Sequence, residues 1–421
     1  MSRLRKTLPA GMLALSMAVV AGCGGSAVTG GGEDDTEGPL TIGVVGPMSG
    51  PSALFGEEFP IGAELAVQWL EENGGADGRE IELRTVDDQA DPEAAVAGVR
   101  ELTDDGVRIF IGTVNSPVAL ALSPVMEQTD SVLLTTAAHA QELTHENFSE
   151  NVFRVTDNPY MRQRAQAKLA AEVAPDAKKW ALVGPDHAYG VSTMRAFASG
   201  LRDFNQGATM GKAVLAPFAA SDYRNSMSRV AGQNPDGVFS SLYASDGVTA
   251  YQQASAMGLW DDDTLLMDSA NEFFVARAMK ENTPDHWTAF HWYHGAYDNE
   301  MSTFIADAYM EEHGAEPTGF VGEAFSAVLA VAAAVDASGS AATDDLIENL
   351  EGLEWETPSG TRTMRAEDHQ TVKDVNFVRL RGCADCENGY EVVESRAIPG
   401  DDIIEPPAPG EPTEYGPGTD L

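Results

Sequence analysis

From Leu40 onward the chain alternates short, continuously apolar runs with stretches whose apolar residues recur at helical spacing, and few folds accommodate that alternation. Leu40 to Val45, Glu80 to Val86, Arg108 to Gly112 and Val132 to Thr135 read as strands. Ile61 to Leu70, Pro92 to Leu102 and Pro117 to Glu127 read as the helices between them, with Gly74-Gly75 stopping the first and Asp91 opening the second. Strands separated by helices imply βαβ units in a parallel sheet. The pattern restarts after Asn158-Pro159. Met161 to Val173, Val191 to Phe204, Tyr223 to Ala231 and Val248 to Met257 are helical, among strands at Trp180 to Gly184, Thr209 to Val214, Val238 to Ser240 and Leu265 to Met267. Two α/β units therefore stand in tandem, with a seam near Val155 to Pro159. Phe320 to Val335 and Asp344 to Leu350 add late helices, and Asn376 to Arg381 with Tyr390 to Val393 a closing hairpin. Open parallel sheets bind ligands beyond the carboxyl ends of their strands, so two such lobes favour a binder that closes about a hinge.

The N-terminus says where such a protein works. Arg3, Arg5 and Lys6 precede a mostly apolar run, Leu8 to Val20, that is interrupted by Pro9 and Gly11. It is too short for a bilayer span of about 20 residues and reads as a secretory signal. Val20-Ala21-Gly22-Cys23 closes it and resembles a bacterial lipoprotein signal, so residues 1–22 are expected to be removed and Cys23 lipidated. Residues 23–39, rich in glycine and acidic residues, read as a flexible linker holding the folded part away from the membrane.

With 66 acidic against 26 basic residues the formal charge is −40. Such a surface repels nucleic acid and anionic lipid, leaving the lipid anchor as the expected membrane contact. Cys383 and Cys386 form a lone Cys-x-x-Cys, half of a zinc site with no second pair, and an exported protein is expected to close it as a local disulfide. Residues 397–421, with six prolines and six acidic residues from Ile398 on, read as a disordered tail.

Several segments, in order, resemble the substrate-binding proteins of branched-chain amino acid-type ABC transporters. They are Gly46-Pro47-Met48-Ser49-Gly50-Pro51 with Phe55-Gly56, Asp87-Asp88-Gln89-Ala90-Asp91-Pro92, Ile111-Gly112 through Ser116, Thr135-Thr136-Ala137-Ala138 with Glu142-Leu143-Thr144, Asn151-Val152-Phe153-Arg154, Tyr189-Gly190 and Arg365-Ala366-Glu367-Asp368-His369-Gln370. The resemblance covers roughly Leu40 to Arg396. It implies the type I periplasmic binding fold: two Rossmann-like α/β lobes joined by three hinge crossovers. Lobe one is then expected over residues 40–155 plus 295–358, and lobe two over 156–294 plus 359–396. It further implies a monomer without cofactor or metal, capturing a small hydrophobic amino acid or related carboxylate and handing it to a permease and ATPase complex.

The resemblance also assigns a pocket. Ser116, with Asn115 beside it, matches a serine that grips the ligand's carboxylate at a helix start, a position where serine also suits capping. Ala137 and Ala138 match small residues whose backbone lines that site. His139 stands where the family commonly has threonine, and is either a hydrogen-bonding group or a loop histidine. Phe55, Tyr189, Tyr243 and Phe320 match aromatic positions. Ala270 stands where the amino-acid binders hold the ligand's ammonium with a carboxylate. Asp268, Asn271, Glu272 and Asp246 are the neighbours that can take over, since a buried ammonium needs an anionic or strongly accepting partner. If none does, the ligand lacks an ammonium, and a small, aromatic carboxylic acid fits better than leucine.

Other chemistries find less support. Asp186-His187 and Ser192 lack a nucleophile elbow. His286, His291 and His294, flanked by Trp287, Trp292 and Tyr293, read as a packed aromatic segment and not a metal site. Gly43-Val44-Val45-Gly46 lacks dinucleotide-loop spacing. A ligand-sensing subunit built on the same fold, and a binder of amides or urea, remain the alternatives.

Overall fold

The computed structural model describes residues 38–259 and 264–416. Cys23 and the signal segment lie outside them. The apolar runs pair as expected. Ile81–Asp87, Leu40–Gly46, Ile109–Gly112, Val132–Thr135 and Val152–Arg154 lie side by side in that order, all parallel. Leu40–Gly46 sits inside this sheet and is buried at all but one position, which is why it reads as a continuous apolar run. Helix Pro92–Asp104 opens as its sequence requires: the Asp91 carboxylate accepts from the N–H groups of Glu93 and Ala94, with Pro92 in the first turn.

In the second lobe Thr209–Met210, Lys179–Pro185, Gly237–Ser240, Leu265–Asp268 and His286–Phe290 are parallel neighbours, and Val214–Ala216 also pairs with Lys179–Pro185. Val375–Gly382 and Tyr390–Ile398 extend the far edge as an antiparallel hairpin. Cys383 and Cys386 close a disulfide in its turn, with Cα atoms 5.3 Å apart.

Helix Gly319–Ser338 is apolar on nearly every side because it is buried on nearly every side, packed on Glu58–Asn73 within the lobe-one core. Gly62 permits that packing, since a Cβ there would stand 2.3 Å from the Val321 carbonyl oxygen.

Four expectations need correction. His286–Phe290 is a strand of the second sheet, not merely an aromatic segment, so the second crossover starts at His291. The stretch expected as one strand from Thr209 to Val214 is divided into Thr209–Met210 and Val214–Ala216. The third crossover lies after Thr371–Val372 instead of at Pro358. A small antiparallel sheet, Glu354–Thr357, Gly360–Met364 and Thr371–Val372, stays with lobe one because Trp355 donates its indole N–H to the Ser326 carbonyl at 3.1 Å and Met364 joins the lobe-one core. Finally, the chain after Ala397 is ordered through Gly416. Ile403 packs in the lobe-two core, and the buried Glu405 carboxylate accepts from Asn158 at 2.8 Å and from Gln141. The Gly410 N–H reaches the His145 carbonyl at 2.8 Å, and Arg202 donates to the Tyr415 carbonyl at 3.1 Å. Composition alone counted Glu405 as a solvated charge, whereas donors from separate parts of the chain bury it.

The crossovers converge on one buried cation. Lys373 Nζ lies 2.7 Å from Glu323 Oε1 and 3.5 Å from Asp157 Oδ1, and donates to the His291 carbonyl. Asp157 sits on the first crossover, His291 on the second and Lys373 on the third. Arg362 pairs Glu323 through two bonds of 2.6 and 3.0 Å and donates to the Val155 carbonyl at 3.1 Å. Arg162 pairs Asp157 at 2.5 and 2.8 Å. Burial opposes ionisation of Asp157, yet Arg162 and Lys373 hold it well below the usual carboxylate range. Removing one member of such a set leaves a buried charge undercompensated. Lys373→Met is therefore expected to cost about 3 kcal/mol in urea unfolding, and an unchanged midpoint would refute the network's role.

Candidate functional site: an enclosed pocket at the strand ends

The parallel strands deliver their following residues to one place. Phe55 comes from the short helix Ala53–Gly56 that follows Leu40–Gly46, Val114 and Ser116 after Ile109–Gly112, and Ala137 and His139 after Val132–Thr135. From lobe two come Tyr189 after Lys179–Pro185, Tyr243 after Gly237–Ser240, Ala270 after Leu265–Asp268 and His291 after His286–Phe290. Phe320, in the first turn of Gly319–Ser338, completes the lining. The space between these residues is about 310 Å³ with its open side counted, of which only about 20 Å³ is free to a water-sized sphere with the lobes this close. Every lining residue is buried, so the lobes are closed on one another. Bonds across the cleft hold them: Asn115 Nδ2 donates to the Tyr243 hydroxyl at 3.0 Å, and the Ser245 hydroxyl to the Pro51 carbonyl at 2.8 Å.

Eight of the ten residues expected at the pocket line it. Asn115 is not in the lining but braces it, since the same amide also reaches Ser52 Oγ at 3.2 Å. Ala138 turns away into a small cluster with Ala119, Ala140 and Leu143. Val114 and His291 were missed. His291 was legible in principle, because Lys179–Pro185, Gly237–Ser240 and Leu265–Asp268 each end two to four residues before a pocket residue; reading His286–Phe290 as a strand would have exposed it.

The rings form a continuous wall. Phe55 stacks on Phe320 with centroids 4.5 Å apart and lies 6.0 Å from Tyr243. His291 lies 4.5 Å from Phe320, and His139 stacks on His291 at 5.1 Å. Tyr189 and Tyr243 already spend their hydroxyls, on Ser269 at 2.9 Å and on Asn115. Of the lining residues' polar side-chain atoms, Ser116 Oγ, His139 Nε2 and His291 Nε2 are buried without a partner among the described residues. Helix Ser116–Gln128 takes no side-chain cap, so Ser116 is not engaged in capping and its hydroxyl stays free for a ligand.

None of the carboxylates near Ala270 reaches the pocket. Asp268 accepts from the N–H groups of Ala270 and Asn271, the Asn271 amide and the Thr288 and Tyr251 hydroxyls, at 2.6 to 3.0 Å. Asp246 accepts from the Ala219 N–H at 2.8 Å. Asn271 gives its amide protons to Leu242 and Asp268. Glu272, held at φ 45°, turns behind the pocket wall: its Oε1 lies 2.9 Å from His291 Nδ1 and 3.1 Å from the His291 N–H, and its Oε2 accepts from Gly319 N–H.

Burial, followed by the Arg162 charge, keeps the His139 and His291 imidazoles neutral, far below their usual range. Burial pushes the Glu272 carboxyl up to about 8. The unfolded histidines titrate near 6.5, so the stability they carry is whole above that pH and is lost as the solution is acidified. Glu272 acts oppositely: its contribution is whole below 4.5 and is lost as pH rises through about 8. We expect His139→Phe to shrink the loss of thermal midpoint between about pH 7 and pH 5, and Glu272→Gln to shrink the loss between about pH 6 and pH 9. Differential scanning calorimetry across that range checks both, and slopes equal to those of the unmodified chain would refute them.

Two parallel α/β lobes, closed over an apolar pocket with a few convergent polar atoms, define a hinge-closing binding protein. The chain belongs to the periplasmic binding protein family, whose model matches residues 39–387. The Leu/Ile/Val-binding protein of Escherichia coli is 30% identical over 221 residues, covering 52% of this chain and 59% of that protein. The chain thus spans about half the length of the first curated relatives it matches. Among solved structures, the closed leucine-, isoleucine-, valine-, threonine- and alanine-binding protein of Brucella ovis superposes with a TM-score of 0.77 at 20% identity, over 89% of this chain and 100% of that one. A solute-binding protein of an R. palustris ABC transporter, in complex with benzoate, superposes with a TM-score of 0.73 at 20% identity, over 87% and 99%. These likenesses establish the type I periplasmic binding fold.

Proposed function

We propose that the chain is the solute-binding component of an ABC importer, exported and tethered through lipid on Cys23. It acts as a monomer, capturing a small carboxylic acid with an apolar, ring-sized body and presenting it to a permease and ATPase complex. No bond is made or broken; the work is desolvation and lobe closure. Family membership supports the transport role, and the signal pattern before Cys23 supports the anchor.

The ligand class rests on a single observation. Ala270 lines the pocket where a carboxylate would be needed to hold an ammonium, and Asp268, Asp246 and Glu272 are all engaged elsewhere. An ammonium enclosed there would be desolvated without a counter-charge in contact. The carboxylate, by contrast, is met by the free hydroxyl of Ser116 and the opening turn of Ser116–Gln128. In the R. palustris neighbour this same architecture encloses benzoate, an acid with no ammonium.

Matched solutes test the reading. Leader-free protein, unfolded and refolded to remove carried-over ligand, is heated with 3-phenylpropionate and, separately, with phenylalanine. A ligand at about 100 times its dissociation constant adds about 2.7 kcal/mol, a shift of several degrees. Stabilisation by the ammonium-free acids and not by the amino acids is expected. Stabilisation by amino acids alone overturns the ligand class, and no shift with any small acid or amino acid overturns the function.

A further inference from the structure

We infer that the ligand carries a hydroxyl group in addition to its carboxylate, read by His139 and His291, with Glu272 orienting His291 from behind. The inference rests on the binding function proposed above and narrows its substrate class.

His139 and His291 line the pocket, are 2% exposed, stand ring against ring at 5.1 Å, and each has a buried Nε2 without a protein partner. A ligand presenting only hydrocarbon to this wall leaves two buried imidazole nitrogens unpaired, at a cost that closure would have to overcome. The second nitrogen of His291 is already fixed, since Nδ1 faces Glu272 Oε1 at 2.9 Å, and the Lys373 ammonium holds the His291 carbonyl. The ring therefore cannot turn away to find another partner.

The group that fills this position must be small and uncharged. Arg162, Lys373 and Arg154 bear on His139, and Arg162 and Lys373 on His291, against protonation; Asp157 opposes them only in part. The burial that chiefly refuses a proton on the two rings, together with these positive charges, also refuses a ligand ammonium beside them. With Glu272 holding a proton and giving it to Nδ1 of the neutral ring, the other nitrogen of His291 is a donor, which an ammonium cannot satisfy and a hydroxyl oxygen can. A hydroxyl also donates, so it can meet the donor on His291 and pair with His139 in either tautomer of that ring.

A set of four acids tests this by isothermal titration: 3-phenylpropionate, its 2-hydroxy and its ring 4-hydroxy derivatives, and phenylalanine. One hydroxylated acid is expected to bind at least about tenfold more tightly than the parent. That ratio is expected to fall towards one in both His291→Phe and His139→Phe, which keep a ring and remove the nitrogens; circular dichroism verifies folding, and either variant alone suffices. Equal affinities for parent and hydroxylated acids overturn the hydroxyl while leaving the carboxylate reading intact. A ratio that persists in the variants overturns the role of the histidines. Tighter binding of phenylalanine than of any ammonium-free acid overturns the ligand class, and this inference with it.

Discussion

The structure depends on a buried charge at the point where the chain passes between its lobes. Lys373, on the third crossover, contacts groups on the other two, and Glu323 and Arg362 tie it to the lobe-one helix and small sheet. Two lobes with separate cores need such a fixture, because a hinge made only of extended backbone would fix neither their spacing nor their twist. Ionic pairing suits the place better than apolar packing: it is directional, and it binds short crossing segments that have little surface to bury. The same set reaches the pocket, since the Lys373 ammonium holds the backbone of His291 and Arg162 shapes the potential at both histidines. Hinge and ligand site thus share their electrostatics.

The pocket follows from a general property of parallel sheets, whose strand ends all point one way and bring their loops together. What distinguishes this chain is the choice of residues at those ends. Alanine, and no carboxylate, lines the pocket after Leu265–Asp268, and two imidazoles join a wall of phenylalanine and tyrosine rings. Buried nitrogens without partners are uncommon in stable proteins and mark positions kept for something else.

Much of the fold was legible because short strands buried on both faces must be continuously apolar, and Leu40–Gly46, Ile109–Gly112 and Val132–Thr135 have no other way to exist. The strand Val152–Arg154 is too short for any periodicity to register. His286–Phe290 hid behind its histidine and tryptophan, residues whose burial is explained only by the neighbouring strands Leu265–Asp268 and Val375–Gly382. The small sheet around Trp355 and the ordered segment after Ala397 escaped for a similar reason. Their partners, Ser326, Glu323, Gln141 and Asn158, lie tens to hundreds of residues away.

By itself, then, the sequence determined the α/β class, the two-lobed division and, through the ordered motifs, eight of the residues that meet at the pocket. These depend on local patterning or on position at a strand end, both of which are written in consecutive residues. Only the tertiary structure decided that Ala138 turns away, that His291 turns in, and that Asp268 and Glu272 are unavailable to a ligand's ammonium. Those outcomes are settled by which hydrogen bonds distant groups complete, and a carboxylate in a sequence carries no mark of whether its partner will be a ligand or the protein itself.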